Sequence, residues 1–154
     1  MAALRETGSE TEAQPLNTQL WEIWTTAPDE IAQEILDSGM ERRRIYDLAG
    51  AEQAFDRLIA YCPHYAEGYN QRAFVHFIRE AYDLSLADLE RTLEITPDHI
   101  GAASGKALSL INMGRELEGQ IALRHALTLH PWLSERALLK PLEDVTPKDR
   151  ETDL

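Results

Sequence analysis

The residues of this chain with chemistry to offer are five histidines, three consecutive arginines, one cysteine and three tryptophans. His64, His76, His99, His125 and His130 could in principle give imidazole nitrogens to a metal. Three of them, His64, His99 and His130, each stand within two residues of a proline, and those prolines recur at a fixed step along the chain. Side chains on successive loops of such a repeat are too far apart for one ion with ~2.0 Å Zn–N bonds. They are therefore expected to be solvated loop residues, and no metal site is expected. Cys62, the single cysteine, excludes an intrachain disulfide and a multi-cysteine metal site. The chain has no HExxH, CxxC, glycine-rich phosphate loop or GxSxG. Together these point to a non-enzymatic protein with no cofactor.

Two binding chemistries are open. Arg42, Arg43 and Arg44 form the one dense basic run; as the end of a helix they would meet its dipole favourably, and they are also the foremost candidate for a charged contact. Trp21, Trp24 and Trp132 could form an aromatic platform, but indoles at helical spacing more often bury their large apolar area; they are expected to plug the two ends of the molecule. The final Thr152-Asp153-Leu154 has the form of a PDZ-domain ligand, a pattern short enough to arise by chance, and no role is assigned to it.

Composition bounds the partner. At 154 residues, 44% hydrophobic and 27% charged, the chain has the make-up of one folded domain. Its net charge of −12 opposes a phosphate backbone, so nucleic acid is not expected. The apolar runs fall short of the ~20 residues of a membrane span, and the opening Met1-Ala2-Ala3-Leu4-Arg5-Glu6 lacks the basic start and apolar core of a secretory signal. A cytoplasmic location is expected, or a periplasmic one if the natural chain carries a signal upstream.

The elements that must position these residues are set by a repeat. Pro63, Pro97 and Pro131 are spaced by 34 residues. Small residues recur in register at Gly39, Ala73 and Ala107 and at Ala51, Ser85 and Gly119, and bulky apolar ones at Phe55, Leu89 and Leu123. Apolar positions within each unit follow helical spacing, as in Leu86, Leu89 and Leu93. Each proline ends a helix, since it lacks the N–H donor and restricts the residue before it. Helices are predicted near 16–25, 29–45, 48–61, 66–79, 82–94, 99–112, 116–128 and 133–139, with no sheet. Ser134 is the expected N-cap of the last.

This pattern resembles the tetratricopeptide repeat, whose units are 34-residue helix pairs with two small positions and a closing proline. The resemblance covers about residues 32 to 133 and implies an all-α solenoid. It would have three helix-turn-helix units, near 32–65, 66–99 and 100–133, inside a domain spanning 14–140. Leu16 to Thr26 reads as the second helix of a preceding half-unit, and 133–139 as a C-terminal cap. Residues 1–13 and 141–154, polar and without apolar periodicity, are expected to be mobile tails.

The resemblance further implies a short bacterial scaffold that binds a protein or peptide in a groove lined by the first helix of each unit. The groove positions are Leu36, Met40, Arg43 and Arg44, then Asn70, Phe74 and Phe77, then Ser104, Leu108 and Ile111. A partner with apolar residues, with or without an acidic group taken by Arg43 and Arg44, would fit them. The clamp that some members close on chaperone C-terminal carboxylates would fall at Leu36, Met40, Gln71, Gly101 and Gly105, none of which supplies its cations, so it is expected to be absent. The alternative is an assembly or structural module whose groove is filled by its own termini or a second copy. If the register is right, Ala107→Leu overpacks a close helix contact and destabilises the fold by about 1–3 kcal/mol. An unchanged urea midpoint would show the register to be wrong.

Overall fold

Three tight turns fix the architecture. Tyr46, Glu80 and Gly114, one repeat apart, all have positive φ, at 66°, 60° and 78°. Around each the backbone bonds are the same: the N–H of the turn residue reaches the carbonyl three back, and the next N–H the carbonyl five back (Tyr46 to Arg43 and Asp47 to Arg42, Glu80 to Phe77 and Ala81 to His76, Gly114 to Ile111 and Arg115 to Leu110). This pair of bonds satisfies the last carbonyls of a helix and reverses the chain. The opposite ends also repeat, with Cys62, Thr96 and His130 closing their helices four residues back, just before the three prolines.

The computed structural model describes residues 1–145. The helices are α1 (Ala2–Arg5), α2 (Glu10–Trp24), α3 (Glu30–Arg44), α4 (Leu48–Tyr61), α5 (Ala66–Ile78), α6 (Tyr82–Ile95), α7 (Ile100–Asn112), α8 (Glu116–Leu129) and α9 (Leu142–Val145), with a 3-10 turn at Ser134–Leu138 before α9. No strand occurs among the described residues. The pairs α3/α4, α5/α6 and α7/α8 are the expected helix pairs, and each stacks on the next.

Close approach within each pair is set by the small residues. A Cβ on Gly39 would run into the Phe55 ring, and one on Gly119 would lie 2.6 Å from Ile111 Cγ1. Ala73 and Ala107 are fully buried at the matching positions. Ala32, Leu36, Ala51, Phe55, Leu58 and Val75 form the core of the first unit and carry it into the second. Arg72 joins three helices, with both of its outer nitrogens in bonds: Nε and Nη2 donate to Asp88 of α6 at 2.8 and 2.7 Å, and Nη1 to Asp56 of α4 at 3.0 Å.

The N-terminal segment departs from expectation. Residues 1–13 are packed helix and turn: Leu4 and Ala13 are buried with Ile100, Ala103, Ala126 and Leu129 of the third unit. The segment carries little apolar periodicity because it touches the stack through a few residues only. Helix α2 begins at Glu10, six residues before the predicted start, capped by Ser9 Oγ; Pro15 falls inside it. Nor does α2 extend the stack as a preceding half-unit. It crosses to the other end, where Leu16, Leu20 and Trp24 pack on the third-unit core. Trp132 Nε1 donates to Thr7 O (3.2 Å) and Arg5 pairs with Asp98 (3.3 Å).

At the C-terminal end the predicted helix is the 3-10 turn, its N-cap position is Leu133, and Ser134 bonds to Glu135 instead. Buried Gln120 fastens this cap, donating to Leu138 O and accepting from Lys140 N, both at 2.9 Å. Of the expected 141–154 tail, Leu142–Val145 is the exposed helix α9 and the remainder lies outside the described residues.

The turns generate a prediction. A side chain held in the left-handed region costs energy that glycine does not incur. Glu80→Gly should therefore stabilise the fold by about 0.5–1 kcal/mol, and Gly114→Ala should destabilise it by about 1 kcal/mol, as read from urea denaturation midpoints. Effects of the reverse sign would mean that the turns do not have this geometry.

Candidate functional site

The concave side is built by the first helices of the three units, α3, α5 and α7, and is crossed by α2. A cavity of about 480 Å³ lies between them. Met40, Phe74, Phe77, Leu89 and Leu108 give it apolar walls, and Trp21 closes it from α2. Trp21 can sit there because residue 101 is glycine: a Cβ at Gly101 would lie 2.6 Å from Trp21 Cη2.

Beside the cavity lies a buried polar cluster centred on Glu67, which is 1% exposed. Glu67 Oε1 accepts from Asn70 Nδ2 (3.1 Å) and Gln71 Nε2 (2.6 Å), and Oε2 lies 2.8 Å from His99 Nε2. The imidazole tautomer follows from its other nitrogen. His99 Nδ1 faces the N–H of Ala102 at 3.1 Å, capping α7, and must accept. The proton therefore sits on Nε2 and is donated to Glu67. Trp24 stacks on the His99 ring (4.0 Å between centroids, 17° between planes), and Trp21 meets its edge. One repeat back, Tyr65 Oη donates to Trp24 O at 2.6 Å. Positions 65 and 99 thus hold the same turn of α2.

The arginine run divides three ways. Arg42 pairs with Asp47 (2.7 Å) and Arg44 with Glu41 (2.6 Å), both in solvent. Arg43 turns into the cavity and lies 4.3 Å over the face of Phe74, a cation–π contact. Burial pulls its pKa below the ordinary value, and the Glu67 charge acts in the opposite sense. Among the described residues, two buried side-chain atoms have no hydrogen-bond partner, Arg43 Nε and Gln71 Oε1, and both residues line this cavity.

Of the groove positions read from the sequence, Met40, Arg43, Asn70, Phe74, Phe77, Ser104 and Leu108 line the cavity. Three do not. Leu36 is fully buried in the first-unit core, Arg44 is held outside by Glu41, and Ile111 packs on Gly119 of α8. Each lies on a flank of its helix rather than on the concave face. His99 and His130 were expected to be solvated and are buried instead: His99 by its three partners, His130 with its Nδ1 accepting from Trp132 N (3.3 Å) and burial pulling its pKa below the usual value. Trp21 lines the groove and Trp24 packs on the third-unit core, rather than the two closing the first unit. Glu67 and Gln71 had a local signal that went unused: an acid followed at i+3 and i+4 by amides can close a cluster within one helix face.

Helix pairs repeating every 34 residues, stacked in order around a concave cavity, define the class as a helical-repeat solenoid. The chain is a tetratricopeptide-repeat protein. It is 34% identical over 130 residues to a TPR repeat-containing protein of Rhizobium etli, an alignment covering 84% of this chain and 54% of that protein, so the chain spans about half the length of this relative. No protein-family model matches it. Among solved structures it is similar in fold to the first TPR domain of Spaghetti (RPAP3), bound to an HSP90 peptide (TM-score 0.70, 14% identity, 74% of this chain and 91% of that one). The Arabidopsis OM64 TPR domain is also similar (TM-score 0.68, 17% identity, 71% and 90%). No helix among the described residues is long and apolar enough to cross a membrane.

The cluster generates a prediction. His99→Ala removes the α7 cap and the imidazole donor to a buried carboxylate, so it should cost about 3–5 kcal/mol in urea denaturation. Arg91→Ala, which breaks an exposed pair with Glu94, should leave the midpoint in place. Equal shifts would mean that His99 is no more structural than a surface residue.

Proposed function

We propose that this chain is a protein-binding scaffold whose concave cavity takes a mainly apolar segment carrying an acidic group near one end. The observation that carries the reading is the cavity itself: aromatic and aliphatic walls from three repeats enclose one half-buried guanidinium, Arg43, that no carboxylate of the described residues engages. Phe74, Phe77, Met40 and Leu108 supply apolar contact, where aromatic residues tend to carry a large share of binding energy. Arg43 receives the acid, since a guanidinium fork suits a carboxylate; Arg44, already paired outside, plays no part.

The peptide complex formed by the RPAP3 domain supports a binding role for this fold in general. The ligand class differs, because Leu36, Met40, Gln71, Gly101 and Gly105 supply no cation where a carboxylate clamp would need one. A second reading, a structural module whose groove is filled by its own terminus, is favoured by the path of α2, which covers the start of α7.

Seven-residue peptides selected by phage display on the parent protein test the first reading. Phe77→Ala should weaken the selected peptides tenfold or more, about 1.4 kcal/mol, at any salt concentration. Arg43→Ala should weaken them mainly at low salt, where a partly exposed charge is least screened. If both variants bind as the parent does, the site is not on this face, and the structural reading stands.

A further inference from the structure

On the side away from the concave cavity, in the hollow between α6 and α8, we infer a second binding site, one that takes a small aromatic carboxylate. The hollow has a volume of about 500 Å³, within the range of small-molecule sites. Its floor is α7, where Ala103 and Leu110 are buried, and its walls are Leu93 of α6 and Ile121 and Ala122 of α8. Pro97, in the loop before α7, and Lys106 of α7 also line it.

The preceding repeat shows what would fill this space. There the gap between α4 and α6 is bridged by side chains of α5. Arg72 donates to Asp88 of α6 and to Asp56 of α4, and His76 Nε2 lies 3.6 Å from the same Asp88. Tyr69 Oη donates to Pro63 O at 2.9 Å, and the Arg91 guanidinium lies over its ring. One repeat on, Tyr69 is replaced by Ala103, His76 by Leu110 and Asp88 by Ala122. Arg72 becomes Lys106, while Asp56 and Pro63 keep their character as Glu90 and Pro97. The second space has thus kept a cation and one acid, and has exchanged a ring and a carboxylate for two alanines.

Charge selects the same ligand. Arg72 sits between two carboxylates, whereas Lys106 has Glu90 as its one ion-pair partner among the described residues, at 3.8 Å. Glu118, across the hollow, is held by Arg115 through both of its oxygens and does not stand in for the second acid. A ligand carboxylate on Lys106 restores the pattern of one cation between two acids, through a charge-assisted bond. The remaining wall is apolar: Ile121 is 54% exposed, where the preceding unit has Ala87. Positions 103 and 106 lie on one helix face with Cβ atoms about 5–6 Å apart, so a ring over Ala103 and a carboxylate on Lys106 are joined by a short linker. A para-hydroxyl on that ring would point to Pro97 O, as that of Tyr69 does to Pro63 O. The chain's own end, residues 146–154, contains no aromatic residue and cannot supply the ring.

The test titrates the full chain with 3-phenylpropionate, 3-(4-hydroxyphenyl)propionate and 3-phenylpropionamide, followed by 1H–15N NMR at the millimolar concentrations that suit ligands of this size. Both acids should give saturable shifts around Ala103, Lys106 and Ile121, the hydroxylated one binding more tightly. The amide should bind about fivefold more weakly than the plain acid. Lys106→Met and Ala122→Asp, the second of which gives Lys106 an acid from the chain itself, should each bring the acid down to the level of the amide. Ile121→Ala should weaken acid and amide together, and melting curves report whether each variant keeps the fold. The comparison of acid with amide on the parent needs no variant: equal binding overturns the inference, as does the lack of any saturable shift. Shifts centred on Phe74 and Phe77 would place the probes in the concave cavity, overturning this site while leaving the scaffold reading intact.

Discussion

The His99 ring is the point on which the rest of the molecule depends. It starts α7 by accepting the Ala102 N–H, ties α7 to α5 through Glu67, and holds α2 by stacking on Trp24. A carboxylate in the interior is costly unless hydrogen bonds satisfy it. Glu67 has three donors, Asn70 and Gln71 from its own helix and His99 from the start of α7, and the last of these ties the two helices together. Removing one donor leaves a charge without compensation, whereas an exposed pair such as Arg91–Glu94 can part into water.

The character of the cavity descends from that cluster. Glu67 holds the nitrogen of Gln71 and so leaves its oxygen buried without a partner beside the groove. Gly101, one repeat beyond Glu67, makes room for Trp21, which turns an open groove into a walled cavity. Corresponding positions of successive units thus do different work: the acid builds the polar floor in one and the absence of a side chain admits the wall in the next. The helix frame repeats; the chemistry laid on it does not.

That division explains what was legible in the sequence. Helix pairs, turns and close contacts follow from local rules that recur every 34 residues, and Gly39, Ala107 and the three prolines could be read directly. Most of the groove face was legible for the same reason, since the first helix of each unit presents it. Leu36 and Ile111 were misplaced because a helix face a few tens of degrees away from the groove belongs to the core. His99 and α2 were misjudged for a deeper reason. Their partners are far away in the chain, Glu67 from His99 by 32 residues and Thr7 from Trp132 by 125, and no period connects them. Gly101, the glycine of α7 against which Trp21 packs and a residue unfavourable to a helix, was a local trace of that close approach.

Helix α2 makes the stack a strapped object rather than an open one. In a simple solenoid each unit feels only its neighbours, and units can be added without limit. Here a 15-residue helix, about 22 Å long, runs from the entrance of the first unit to the core of the third. Three neighbouring first helices at 8–10 Å spacing span about 16–20 Å, so strap and stack match in length. The strap acts as a ruler laid across the stack: a helix that is not itself a repeat matches three repeats in length and ties the first of them to the third.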